Sequence, residues 1–140
     1  MGKFNWGRVF LGGLFTGAIG FVFFVLATLT SVGREWMTAT RAVGGVGPTP
    51  TAGDAVYIAV ISLVLGIWAL WLYAAIRPRY GPGPKTAAVA GLALWVICTV
   101  VDVLWWRLLG FIPPSIVLPL AAAMPGIVLA VAAGAWLYKE

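Results

Sequence analysis

Asp102 is the only charged side chain that the sequence places inside an apolar segment, and Arg107 follows it five positions later. An ionisable group within a membrane helix suggests a proton or cation site. Asp102, however, would lie only about 6 Å inside the end of its helix. A spacing of five also does not bring Asp102 and Arg107 onto one helix face. We therefore interpret them as interface charges and keep an intramembrane polar site as the alternative.

A short basic segment carries the other candidate site residues, which are Arg77, Arg79 and Lys85. Cations at this position favour contact with anionic lipid phosphates, each contributing about 1 kcal/mol near the surface. The alternative, a phosphate or nucleotide site, lacks both P-loop spacing and an acidic partner. Lipid contact is the prediction that we prefer.

The remaining residues predict no catalysis. Histidine is absent, which excludes histidine-ligated haem or zinc and any Ser-His-Asp triad within the chain. Cys98 is the only cysteine, so no intrachain disulfide can form. The apolar segments hold no paired acids, no serine with a base and no metal-ligand set. We expect no enzyme, no catalytic residue, no metal and no cofactor.

Composition identifies the solvent of the chain. Over 140 residues, 62% are hydrophobic, 9% are charged and the mean hydropathy is +1.02. Soluble domains carry about 25% charged residues. Lipid must therefore cover most of the surface, and the net charge of +5 is explained by membrane topology rather than by nucleic-acid binding.

Crossing the hydrocarbon requires about 20 apolar residues in a helix. Four segments qualify, at about 9–29, 55–76, 87–106 and 115–138. We thus predict an all-α, single-domain bundle of four transmembrane helices. Six of the nine cations fall on one side of it, and these are Lys3, Arg8, Arg77, Arg79, Lys85 and Lys139. By the positive-inside rule both termini face the cytoplasm of a bacterial inner membrane.

The sequence also predicts the structure of the connections between these segments. Residues 34–43 have helical spacing of apolar side chains and predict a short interfacial helix in the first outer loop. Residues 44–53 read as an extended linker. In the 77–85 segment, prolines should stop the second helix and glycines should permit the reversal. Pro119 and Pro125 should kink the fourth helix.

Small residues at helical spacing predict close helix–helix contacts. They are Gly13, Gly17, Ala87, Gly91, Gly126, Ala130 and Gly134. The second and fourth helices both end in Trp-Leu-Tyr, at residues 71–73 and 136–138, which suggests a duplicated two-helix unit. The other interpretation is that both helices place aromatic residues, including Tyr73 and Tyr138, in the membrane interface.

Three segments carry a resemblance to a known family. They are WLYAAIRPRYGPGPKT at 71–86, NWGRV at 5–9 and GAWLYK at 134–139. With them the chain resembles an uncharacterised family of small bacterial four-helix integral membrane proteins. The resemblance implies four spans and a bacterial origin, and it implies no activity.

These observations lead to two functional expectations. The first is a non-catalytic accessory or stabilising subunit of a larger membrane complex, of respiratory or photosynthetic type, or a homo-oligomer. Its partners would be lipids and other membrane subunits or itself, with no nucleic acid. The alternative is a small transporter or binder of hydrophobic ligands, with a cavity lined by Trp95, Asp102, Pro119 and Pro125.

Overall fold

The computed structural model of the chain describes residues 5–44, 49–108 and 117–138, without the side chains of 106, 107 and 117–122. These residues form five α-helices and their connections, and none of them lies in a strand. The helices are α1 (Trp6–Thr28), α2 (Ser31–Val43), α3 (Ala52–Tyr80), α4 (Pro84–Leu108) and α5 (Val117–Leu137). The all-α class predicted from the sequence is confirmed.

Three helices are long and apolar enough to cross a membrane, namely Trp6–Thr28, Ala52–Tyr80 and Pro84–Trp105. The part of α5 whose side chains are described, Ala123–Leu137, is apolar and shorter. Helices of this length and composition are those of an integral membrane protein. The first three predicted spans thus coincide with the three long apolar helices.

The ends of the helices are determined by capping hydrogen bonds rather than by where the apolar segments begin and end. Thr51 and Asp54 form a reciprocal capping box, so α3 begins at Ala52 and takes up the end of the predicted 44–53 linker. Thr30 caps α2 by accepting a hydrogen bond from the Gly33 amide at 3.0 Å. The predicted helix near 34–43 is present and starts earlier, at Ser31.

The prediction that Pro78 stops the second helix is wrong. Helix α3 continues through Pro78 to Tyr80, and Gly81 closes it with its amide donating to the Arg77 carbonyl at 2.8 Å. Pro78 lies in the last turn, where it removes one hydrogen bond and leaves the rest of the turn intact. The reversal into α4 needs only Gly81 to Gly83, both with positive φ (81° and 134°).

Helices α1, α3, α4 and α5 run in alternating directions, and each packs on the next, with α5 also packing on α1. Among the described residues, their buried side chains lie toward one end of the molecule, which we call the terminal end because Asn5 and Tyr138 are there. Beyond Gly17 on α1, before Gly66 on α3 and after Gly91 on α4, no described side chain is buried. Helix α2 lies at the opposite end.

The buried positions repeat between the two halves of the chain. Four buried residues of α1 have a buried counterpart in α4 that lies 74 positions later in the chain: 12 matches 86, 13 matches 87, 16 matches 90 and 17 matches 91. Another constant offset from α3 to α5 matches 66 with 131, 69 with 134, 70 with 135 and 73 with 138. Eight pairs of buried positions thus match between the α1–α3 and α4–α5 hairpins, whereas Val9, Ala74 and Ala130 have no described buried counterpart. The duplicated two-helix unit stays a prediction.

Candidate functional site

The two Trp-Leu-Tyr segments meet at the terminal end. The rings of Tyr73 and Tyr138 contact each other edge to face, with centroids 6.0 Å apart and planes at 84°. Both tyrosines are buried, at 3% and 4% exposure. They fill the space where α3 and α5 converge, so their rings face other helices rather than lipid, and their depth at the membrane interface stays a prediction. The tryptophans of the same segments differ, since Trp71 and Trp136 are exposed.

The α3–α4 turn is attached to this tyrosine pair. The Gly83 amide points to the Tyr73 hydroxyl at 3.4 Å, and Thr86 Oγ1 donates to the Gly81 carbonyl at 2.6 Å. Thr86 is itself almost fully buried. A short turn whose polar groups are paired in this way holds the ends of α3 and α4 in a fixed relation.

The three predicted lipid-contact cations lie around this turn in different environments. The Arg77 guanidinium carbon is 5.5 Å from the centre of the Tyr138 ring, in a cation–π arrangement. Arg79 and Lys85 are exposed. With Arg8 at the start of α1, they give the terminal end four described cations and, within the described residues, no acid. This end can attract anions.

Asp102 lies near the far end of α4, exposed, and the Arg107 side chain lies outside the described residues. The predicted Asp102–Arg107 site therefore stays a prediction. Among the described residues, no group of three His, Cys, Asp or Glu side chains is placed to hold a metal ion. Trp95 and Cys98, on the same helix, are half-buried.

The predicted small residues lie at contacts between helices of this chain. A Cβ added at Gly13 would stand 2.5 Å from the Ile67 Cα, and one at Gly17 would stand 2.5 Å from the Leu63 Cα. On the equivalent hairpin, a Cβ at Gly91 would stand 2.9 Å from the Val128 Cα. Ala87, Ala130 and Gly134 are buried, whereas Gly126 makes ordinary contact with the Phe23 ring.

Two buried positions were missed by sequence reasoning. Gly66 faces the α1 backbone at Gly13 and Gly17, which completes the close approach of α1 and α3. Thr16 is 4% exposed and packs against Gly134, and its hydroxyl has no hydrogen-bond partner among the described residues. Threonines usually return such a bond to the helix backbone, as Thr28 does to the Val25 carbonyl at 2.7 Å.

Two shallow apolar grooves are present on the described surface. One, of about 240 Å³, lies along the outer half of α1 and is lined by Ala18, Ile19, Val22, Phe23 and Leu26. The other, of about 250 Å³, lies toward the terminal end between α1 and α3 and is lined by Trp6, Ile67, Trp68 and Trp71. Neither is lined by the residues predicted to form a transport cavity, of which Pro119 lies outside the described side chains.

At the opposite end, polar contacts attach α2 to the first turn of α3. Arg41 is nearly buried and forms an ion pair with Asp54 at 2.9 Å, and it also donates to the Thr49 carbonyl at 3.0 Å. The Trp36 ring of α2 contacts the Phe24 ring of α1 edge to face at 6.3 Å. Helix α2 is therefore held across the ends of α1 and α3.

The geometry thus shows a closely packed terminal end with a basic surface, and an opposite end covered by α2. Neither protein-family models, nor curated proteins, nor solved structures match this chain.

Proposed function

We propose that this protein is a non-catalytic, four-span membrane protein that acts by contact, as an accessory or stabilising subunit of a larger complex or as a homo-oligomer. The single observation that supports this most is the glycine-mediated packing of α1 against α3 and α5. There, Gly13 and Gly17 meet the α3 backbone, and Gly12 meets the Gly134 carbonyl. Packing of this closeness leaves little room for a passage along that seam.

The outer faces of the helices supply the contact surface of this proposal. Along the described parts of α1, α3 and α4 they carry large exposed apolar side chains, including Phe10, Leu14, Val60, Val100 and Leu104. Within a membrane such faces pack on lipid or on neighbouring helices. This chain has closely packed contacts between α1, α3 and α5 and a broad apolar outer surface, so it is suited to filling space between other membrane subunits.

The experiment is gentle-detergent purification of the tagged chain from its native membrane, followed by sizing and mass spectrometry. We expect a stoichiometric partner or a defined oligomer of the chain. The control is the same tag on an unrelated membrane protein of similar size, which should not retain the partner. Recovery of a lone monomer would contradict the contact function.

The proposed orientation places both termini and the α3–α4 turn in the cytoplasm, as the excess of cations at the terminal end supports. A test uses single cysteines at exposed sites in a Cys98→Ala background, with Leu29→Cys at one end and Tyr80→Cys at the other. A membrane-impermeant maleimide should label position 29 in spheroplasts and position 80 only after lysis. Labelling in the reverse order would contradict the orientation.

A hydrophobic-ligand binder is the second candidate, and the groove of about 240 Å³ along α1 favours it. Its lining is wholly apolar, which suits a hydrocarbon chain rather than a polar substrate. Extraction of the purified chain with organic solvent distinguishes the two functions. A single apolar compound at constant stoichiometry would support the binder, whereas a sample of bulk membrane lipid would not.

A further inference from the structure

We infer that the tryptophan groove near the terminal end, lined by Trp6, Ile67, Trp68 and Trp71, binds one anionic phospholipid whose phosphate contacts Arg79. This site rests on the proposed membrane insertion and adds a specific ligand to it. Its parts are an apolar groove, a cation placed beyond the groove on the same helix, and an end of the protein whose described residues carry only positive charge.

The groove has the chemistry of an acyl-chain site. Trp68 and Trp71 stand edge to face with ring centroids 5.2 Å apart, and Trp6 approaches from the start of α1. Trp6 and Trp68 are more than half exposed on the surface of the packed helices. Indole rings favour the boundary between hydrocarbon and headgroups, where the upper part of an acyl chain lies.

Arg79 lies where the headgroup of that lipid would be. It follows Trp68 by about three helical turns, or about 16 Å, and therefore lies on nearly the same face of α3. The apolar part of the helix ends at Ile76, so the Arg79 side chain begins one turn beyond it. A phospholipid aligned with α3 has its phosphate and its acyl chain separated in this same direction.

Charge selects an anionic lipid as the occupant. The described residues of the terminal end include Arg8, Arg77, Arg79 and Lys85 and no acid. A zwitterionic headgroup would bring its own cation into this positive field, whereas phosphatidylglycerol would bring only negative charge. The Arg77 guanidinium lies over the Tyr138 ring, whereas Arg79 is exposed and, by helical spacing, lies on nearly the same face of α3 as Trp68.

Native mass spectrometry of the full chain in detergent tests the site by titration with phosphatidylglycerol and with phosphatidylcholine of the same acyl chains. We expect tighter binding of phosphatidylglycerol. Arg79→Gln should weaken it about fivefold, the effect of losing one cation at an anionic surface. Lys85→Gln, the matched control on the other side of the turn, should weaken it less than Arg79→Gln. Equal effects of both variants would show diffuse attraction and overturn the site.

The groove has its own matched pair of variants. Trp68 and Trp105 are exposed to a similar extent, 57% and 60%, and Trp105 lies at the far end of α4. Trp68→Ala should weaken the binding of both lipids, and Trp105→Ala should not. Equal lipid binding by the two variants would exclude the groove as the lipid site. Formation of disulfide-linked dimers by Trp68→Cys in a Cys98→Ala background would exclude it too, because the groove would then face a second copy of the chain. A chain that co-purifies with a partner but shows no lipid preference would overturn the lipid site alone.

Discussion

Tyr73 and Tyr138 contact each other edge to face at the terminal end of the protein, with 6.0 Å between ring centres, one ring coming from the α1–α3 hairpin and the other from the α4–α5 hairpin. Aromatic pairs of this geometry contribute about 0.5–1.5 kcal/mol beyond the area that they bury. A double-mutant cycle of Tyr73→Leu and Tyr138→Leu should therefore give a coupling energy in that range. Unfolding in mixed micelles of dodecyl sulfate measures it.

The control for the tyrosine cycle is Tyr80→Leu, since Tyr80 is 61% exposed on the same helix. Its free energy of unfolding should stay within about 0.5 kcal/mol of the original chain. Additive effects of Tyr73→Leu and Tyr138→Leu would mean that the two rings do not stabilise each other.

Gly17 and Gly20 offer a matched test of the close contact between α1 and α3. A methyl group at Gly17 would meet the Leu63 Cα at 2.5 Å, whereas one at Gly20 would meet nothing within 4 Å. Gly17→Ala should lower the free energy of unfolding by about 1–3 kcal/mol through overpacking. Gly20→Ala should raise it by up to about 1 kcal/mol, because alanine favours the helix. Equal changes in the free energy of unfolding would mean that Gly17 does not lie at the close contact between α1 and α3.

Thr16 and Thr86 are both buried, and only one of the two hydroxyls is paired among the described residues. Thr16→Val removes an unpaired hydroxyl next to Gly134 and should raise the free energy of unfolding by about 1 kcal/mol. Thr86→Val removes the donor to the Gly81 carbonyl and should lower it by a similar amount. The same micelle titration measures both, and a loss of stability in Thr16→Val would reveal a partner for its hydroxyl.

The ion pair between Arg41 and Asp54 should control the attachment of α2. Asp54→Asn leaves the nearly buried Arg41 guanidinium without its carboxylate and weakens the capping box of α3. We expect faster amide hydrogen exchange throughout Ser31–Val43 in this variant, read by mass spectrometry. Glu35→Gln changes an exposed acid on α2 itself and should leave exchange unchanged. Equal exchange in all three proteins would mean that other contacts hold α2.

Hydropathy alone predicted the helical class and four spans, the first three of which coincide with the three long apolar helices. Continuous runs of about 20 apolar residues admit few other structures in lipid. It did not predict the helix ends, which depend on single side chains. The capping box at Thr51 and Asp54 started α3 early, and the turn at Gly81 and Gly83, rather than Pro78, ended it. Such boundaries are set by hydrogen bonds that hydropathy does not contain.

The buried tyrosines show a second feature that the sequence did not predict, namely which aromatic side chains are buried between helices. An aromatic residue near a helix end fits the membrane interface and the protein core equally well, and the choice depends on which face turns inward. The repeated Trp-Leu-Tyr was the one available signal, since the duplicated two-helix unit that it suggested would place Tyr73 and Tyr138 alike. Thr16 and Gly66 gave no such signal, because their burial depends on how α1 and α3 cross.

The concentration of buried residues toward the terminal end gives the molecule an uneven mechanical character. Resistance to local opening increases with the number of buried contacts, so among the described residues α1, α3, α4 and α5 are held most firmly near Tyr73 and Tyr138. In the proposed orientation this firmly held end lies at the inner leaflet, where it should keep its shape when the bilayer thins or curves. It would then hold its described basic side chains in place against that leaflet.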